Sequence, residues 1–171
     1  LKLGVQDYLT KPINMDELTY LASDCVRRFD EARKDSFEDR EDLLRKLLMY
    51  EVNDSGLITE MEHDYCMVLI FESADSGWLM AEAAGHMREQ GAYVLVQRED
   101  LCEIAVIAPT RMTVEMRASL FLSHTRQLFS EQGMSLTCAQ SNVQWGIRLL
   151  DQCYQEAHEA LKLKYIRGDN Q

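Results

Sequence analysis

The residues of this chain that could do chemistry are thiols, carboxylates and a few histidines, and their spacing leaves little chemistry open to them. Five cysteines, Cys25, Cys66, Cys102, Cys138 and Cys153, are odd in number and form no CxxC pair, so neither a disulfide framework nor a zinc knuckle is suggested. His63 and Cys66 lie three apart at the start of an apolar run. On a strand, odd spacing sends side chains to opposite faces, which opposes joint ligation of a metal. Cys102 stands beside Asp100 and Glu103; neighbouring carboxylates raise a thiol's pKa, so inert packing is expected rather than a nucleophile. Met80, Met87, Met116 and Met134 fall at core positions of expected elements. Filling irregular core gaps is the ordinary use of methionine, and a methionine-lined ligand pocket is the alternative.

The chain that must position these groups has 171 residues, 46% hydrophobic and 27% charged. That is enough for one full core plus an appendage, and the composition is not that of a disordered tail. The longest apolar run, from Cys66 to Phe71, is six residues, against roughly 20 for a membrane-spanning helix. With no basic segment and hydrophobic core at its start, the expectation is a soluble, cytoplasmic protein with reduced thiols and no membrane partner. Residues 1–50 hold 9 basic and 11 acidic side chains, residues 51–171 hold 9 and 18, and the whole carries a net charge of -11. An acidic surface repels phosphate backbones, so direct nucleic-acid binding by this chain is not expected.

Three zones follow one another. Residues 1–14 read as helix end, short strand and turn, with Lys11-Pro12 at the turn. From Met15 to about residue 52 there is no Gly or Pro, charged residues are dense, and Asn14 is a plausible N-cap, which predicts one long helix. Its apolar positions Leu18, Leu21, Ala22, Cys25, Phe29 and Ala32 keep a three-four spacing. Asp39 and Lys46 interrupt the seam before Leu43, Leu44, Leu47 and Leu48 resume it. A solvated connector packed at both ends and a parallel two-stranded coiled coil both fit this imperfect heptad. The cluster Asn53-Asp54-Ser55-Gly56 predicts a boundary.

The third zone, residues 61–171, alternates strand and helix signals. Strands are expected over 65–72, 93–97, 102–108 and 134–140, and helices over 76–90, 113–132 and 145–166, with Gly91 and Gly133 closing the first two. In the last helix Leu150, Tyr154, Ala157 and Leu161 share one stripe. The order β-α-β-β-α-β-α predicts an α+β domain of ferredoxin-like arrangement, with an antiparallel or mixed sheet and helices on one face.

Leu3-Gly4-Val5-Gln6-Asp7-Tyr8-Leu9-Thr10-Lys11-Pro12-Ile13, followed by Glu17-Leu18, resembles the C-terminal end of a bacterial response-regulator receiver domain. The resemblance covers about the first 30 residues. It implies that Lys11 is the lysine that contacts the phosphoryl group, that the Lys11-Pro12 bond is cis, and that Tyr8 is the aromatic switch residue. A lysine ammonium is a flexible point charge suited to a phosphoryl oxygen. The phospho-accepting aspartate of such a domain would lie before Leu1, so the expectation is a piece of a longer protein.

The run Arg98-Glu99-Asp100-Leu101-Cys102-Glu103, continued by an apolar strand to Ala108-Pro109, resembles a GGDEF domain with a decayed hairpin. Asp100 and Leu101 stand where two glycines would let a nucleotide approach the backbone, Cys102 stands for a carboxylate, and Glu103 alone persists. Ala157-His158-Glu159-Ala160-Leu161 and Gly168-Asp169-Asn170 are similar to the family's closing helix and ending. Two-metal nucleotidyl transfer requires carboxylates from two strands around Mg²⁺, and Glu103 with Glu72 or Phe71 on the first strand does not supply them. No enzyme activity and no cofactor are expected.

Receiver end, long helix and GGDEF-like domain in this order resemble the YesN-type response regulators. The resemblance implies a non-catalytic signalling and dimerisation segment. It would couple receiver phosphorylation by a sensor histidine kinase to an AraC-type helix-turn-helix region outside this chain, as a homodimer that meets DNA only through that region. The alternative is a small-molecule effector sensor that uses the vestigial nucleotide cleft.

Overall fold

A 34-residue helix, α1, runs from Met15 to Leu48 in the computed structural model, which describes residues 15–49, 59–74 and 76–167. Strong helix formers and the absence of Gly and Pro account for its length. Arg45 and Lys46 occupy its last turn, where cations meet the negative end of the helix dipole. The chain divides into two units between Asp39 and Arg40. In the first, Asp24 pairs with Arg27 one turn on, and Leu18, Cys25 and Val26 are exposed. The expected N-cap Asn14, the receiver-like residues Tyr8, Lys11 and Pro12, and the boundary cluster 53–56 lie outside the described residues.

The second unit begins with the last turns of α1, whose Leu43 and Leu44 are buried. The resumed apolar seam therefore belongs to the core of this unit instead of a surface stripe. There follow β1 (Tyr65–Glu72), α2 (Gly77–Glu89), β2 (Tyr93–Gln97), β3 (Leu101–Ala108), α3 (Arg111–Glu131), β4 (Thr137–Gln140), β5 (Gln144–Trp145), a 3-10 turn (Ile147–Leu149) and α4 (Leu150–Arg167). Thr110 caps α3 by accepting the Thr113 N–H. Gly91, at φ +87°, ends α2 as expected, a conformation open to glycine at no steric cost.

The unit is α+β with an antiparallel sheet of order β2-β3-β1-β4, β5 pairing with the start of β1. Register is set by Leu69 opposite Ile104 and Ile70 opposite Glu103 on one side of β1, and by Phe71 opposite Cys138 on the other. Because side chains alternate, Met67, Leu69 and Phe71 meet Leu79 and Met80 of α2 and Val114 and Phe121 of α3 in the main core. Cys66 faces the other way, onto Cys153 of α4.

Several expectations need correction. Helices cover both faces of the sheet, since α4 packs on the face opposite α2 and α3; this is why Cys66 to Phe71 reads as a continuous apolar run. Trp145 is in a strand and α4 starts five residues later, and β4 starts at Thr137 rather than 134. The order therefore gains a short strand that the turn-rich 141–146 stretch concealed. The buried stripe of α4 is Leu150, Cys153, Ala157 and Leu161, with Tyr154 at its margin. Met80 and Met87 are buried as expected, whereas Met116 is 56% exposed.

Candidate functional site

The β2–β3 turn places the residues from Arg98 to Leu101, the hairpin singled out by the sequence resemblance. Arg98, Glu99 and Asp100 are exposed at the turn, closed by the Arg98 N–H to the Leu101 carbonyl at 2.7 Å. The Asp100 carbonyl accepts the Ser73 N–H at 2.9 Å. The Ser73 hydroxyl donates to the Ser135 carbonyl at 2.6 Å, and the Ser76 hydroxyl to the Ser73 carbonyl at 3.0 Å. Ser73 thus ties together the β1–α2 loop, the β2–β3 turn and the α3–β4 connection. The Glu99 side chain lies over Gly77, 3.5 Å from where a Cβ would stand. These loops hydrogen-bond to one another at that end of the sheet.

Within β3 the two chemistry-bearing residues separate. Cys102 is fully buried in the core shared with α2 and α3, and burial, partly opposed by the Arg88 guanidinium, pushes its thiol up to about 12. Burial comes before the neighbouring carboxylate Glu103, which the sequence singled out, among the causes of that rise. Glu103 points to the α4 face and is 2% exposed. Its Oε1 lies 3.0 Å from His158 Nε2, off the axis of a hydrogen bond, and its Oε2 has no partner. Tyr154 packs against the His158 ring at 4.5 Å between centroids. Burial first, then its hydrogen bond to Glu103, pushes the Tyr154 phenol up to about 12. The register puts Glu72 opposite Leu101, on the same face as Glu103 but one cross-strand diagonal away. Glu103 is turned toward α4, and among the described residues no group of three or more His, Cys, Asp or Glu could hold a metal ion.

The most elaborate polar site lies where the sequence offers no motif. Glu41, near the end of α1, is 3% exposed. Its Oε1 accepts the Val94 N–H at 2.7 Å and Arg88 Nε at 2.9 Å; its Oε2 accepts Arg88 Nη2 and Arg45 Nη2, both at 3.1 Å. Arg45 in turn donates from Nη2 to the Val94 carbonyl at 2.8 Å and from Nε to the Leu95 carbonyl at 3.0 Å. Val94 sits on β2, the edge strand, so its N–H and carbonyl both point away from β3. Glu41 and Arg45, one helical turn apart, supply the acceptor and donor that a further strand would have given. An exposed edge is thereby covered. Arg88 binds the same carboxylate in a fork from α2. Glu41, Arg45 and Arg88 escaped the sequence reading because an acid and a base four apart recur on any charged helix, as with Asp42 and Lys46.

An open groove of about 630 Å³ runs between the β4–β5 connection and α4, lined by Gln140, Ser141, Asn142, Glu156, Glu159 and Leu163 among others. Its Glu156 accepts the Asn142 N–H and Nδ2 and Gln152 Nε2. These bonds, the one from Gln152 foremost, hold its carboxyl below the usual range. No helix among the described residues is long and apolar enough to cross a membrane. Compared with family models, curated proteins and solved structures, the chain matches none of them.

Proposed function

We propose that this chain is a non-catalytic coupling segment of a cytoplasmic response regulator. In this reading α1 carries a signal from a receiver domain into the sheet unit. The sheet unit relays it to an AraC-type helix-turn-helix region outside Leu1–Gln171, and α1 supports a homodimer. The observation that carries the reading is the Glu41 clamp. From Arg40 onward the helix end, α2 and the β2 edge are joined through one buried carboxylate, so a shift of that helix end strains its bonds to β2. The receiver-like residues Tyr8, Lys11 and Pro12 support the input end. The strand order β2-β3-β1-β4 supports a ferredoxin-like, GGDEF-like domain. The hairpin loops bonded to one another, and Glu103 turned toward α4, support a domain that does not turn over nucleotide.

The test is sedimentation equilibrium on the whole chain together with oxidative cross-linking at Cys25, which is exposed on the α1 seam. A parallel dimer brings two copies of Cys25 within disulfide reach. The expected result is a dimer that cross-links through Cys25, loses the link in Cys25→Ser and dissociates in the double variant Leu18→Lys, Leu21→Lys. A monomer at every concentration overturns the dimer-based reading.

The effector-sensing alternative is expected from the sequence to use the vestigial nucleotide cleft; the groove on α4, whose lining includes Ala160, is a different cleft that supports binding of a small molecule. Its mark is thermal stabilisation by a small molecule that Ala160→Trp abolishes.

A further inference from the structure

Two of the five cysteines are brought together by the fold from positions 87 residues apart. Cys66 Sγ on β1 and Cys153 Sγ on α4 lie 3.8 Å from each other, and both residues are fully buried. Their surroundings are polar for a core. Cys66 Sγ is 3.7 Å from the Gly146 carbonyl, and Cys153 Sγ is 3.7 Å from the Asn142 and Cys66 carbonyls. The contact between the two sulfurs, in which either can be the donor, and then burial push the Cys66 thiol up, and the same contact holds Cys153 below the ordinary value. The two thiols in contact thus shift in opposite directions, Cys153 being the more readily deprotonated. The Asn142 and Gly146 carbonyls that meet the two sulfurs belong to the 141–146 connection, which contains only the two-residue strand β5.

From this geometry we propose that Cys66 and Cys153 form a reversible intramolecular disulfide on exposure to a hydroperoxide, strapping α4 to the central strand of the sheet. In the first step the Cys153 thiolate attacks the peroxide O–O bond. The sulfur is oxidised by two electrons to a sulfenic acid, and the departing alkoxide or hydroxide takes a proton and leaves as alcohol or water. In the second, Cys66 sulfur attacks the Cys153 sulfenyl sulfur. The S–S bond forms, the S–OH bond breaks, and the expelled hydroxide leaves as water with the Cys66 proton. A dithiol reductant reverses the bond by exchange.

The remaining cysteines provide internal controls. Cys102 and Cys138 both pair with Phe71, one from each side. Two strand spacings, roughly 9–10 Å, separate them, beyond the reach of a disulfide. Both lie with the core that packs on Phe71, on the face opposite Cys66. Cys25 is exposed and is replaced by Ser so that links between molecules do not obscure the result.

The experiment treats the folded Cys25→Ser chain with hydrogen peroxide, blocks free thiols after denaturation, and maps peptides without reduction. The expected product is a monomer lighter by about 2 Da before blocking, with Cys66 and Cys153 peptides linked, Cys102 and Cys138 recovered as blocked thiols, a raised thermal midpoint, and full reversal by dithiothreitol. The same mapping on the unaltered chain, read on its monomer band, gives the answer independently of any substitution. If Cys66 and Cys153 are recovered as free thiols, or as separate sulfinic acids, or linked only after unfolding, the proposal is overturned. A link that lowers the thermal midpoint overturns the strap, because the bond would then be distorting the sheet–helix contact.

Discussion

Glu41 accepts the backbone N–H of Val94 at 2.7 Å, so a helix side chain completes the hydrogen bonding of an edge strand. The carboxylate can be buried because every direction it faces holds a donor: Val94 itself, the Arg88 fork and Arg45. Glu41→Ala orphans the Val94 N–H and separates two guanidiniums from their counter-charge. Losses from breaking a buried pair run to about 3–5 kcal/mol, and the partial exposure of Arg88 and Arg45 puts the expected value at the lower end. Glu41→Gln keeps a carbonyl for Val94 and is expected to lose less, about 1–3 kcal/mol. Urea unfolding of both variants checks the ranking. A loss for Glu41→Ala below about 1 kcal/mol would show the clamp to be no stronger than a surface ion pair.

Tyr154 gives a pH dependence with a definite sign. Its phenol is held protonated up to about 12 in the folded chain, against 10 for the ordinary group. The unfolded chain therefore loses this proton first as pH rises. The stability contributed by Tyr154 is complete below pH 10 and disappears as pH climbs through about 12. Cys102, raised into the same range, adds to that alkaline limb. The measurement is the difference between the thermal midpoints of the parent chain and Tyr154→Phe across this window. The two curves should converge as pH rises, and parallel curves would mean that the phenol is not the group responsible.

Core and surface predictions diverge along residues that look alike in sequence. Phe71, fully buried between Cys102 and Cys138 on the central strand, should cost about 3–5 kcal/mol on truncation to alanine. Met116, on α3 but 56% exposed, should stay within about 0.5 kcal/mol. Denaturant midpoints for the two variants separate these outcomes. A large loss at Met116 would place that face of α3 in an interface.

Thiol reactivity should follow burial and charge. Cys25 is exposed, whereas Cys102 is enclosed and its thiol is raised to about 12. Iodoacetamide at mildly alkaline pH should label Cys25 promptly and leave Cys102 unlabelled until denaturant is added. Labelling of Cys102 at a rate like that of Cys25 would mean that the β3 core opens to solvent.

The sequence by itself determined most of the elements and their alternation, the short strand β5 excepted. The 65–72 run, the glycine closing α2, and the uninterrupted charged stretch after Met15 each dictate local structure through propensity and period, which need no distant partner. It also shows that the hairpin 98–103 holds no glycine and has a thiol, Cys102, beside its last carboxylate, Glu103. Residues 1–14, with Tyr8, Lys11 and Pro12, rest on sequence resemblance alone. What only the tertiary structure decided is which side chains share a face. A shift of one residue in strand pairing would exchange the layers that Glu103 and Cys102 face, and pairing register is set by contacts far apart in the chain. The same holds for α4, whose apolar stripe cannot say which face of the sheet it covers, and so for the meeting of Cys66 with Cys153. Glu41 is the sharpest case. An acid on a charged helix is solvated unless a strand edge and two arginines surround it, and none of those partners is its neighbour in sequence except Arg45.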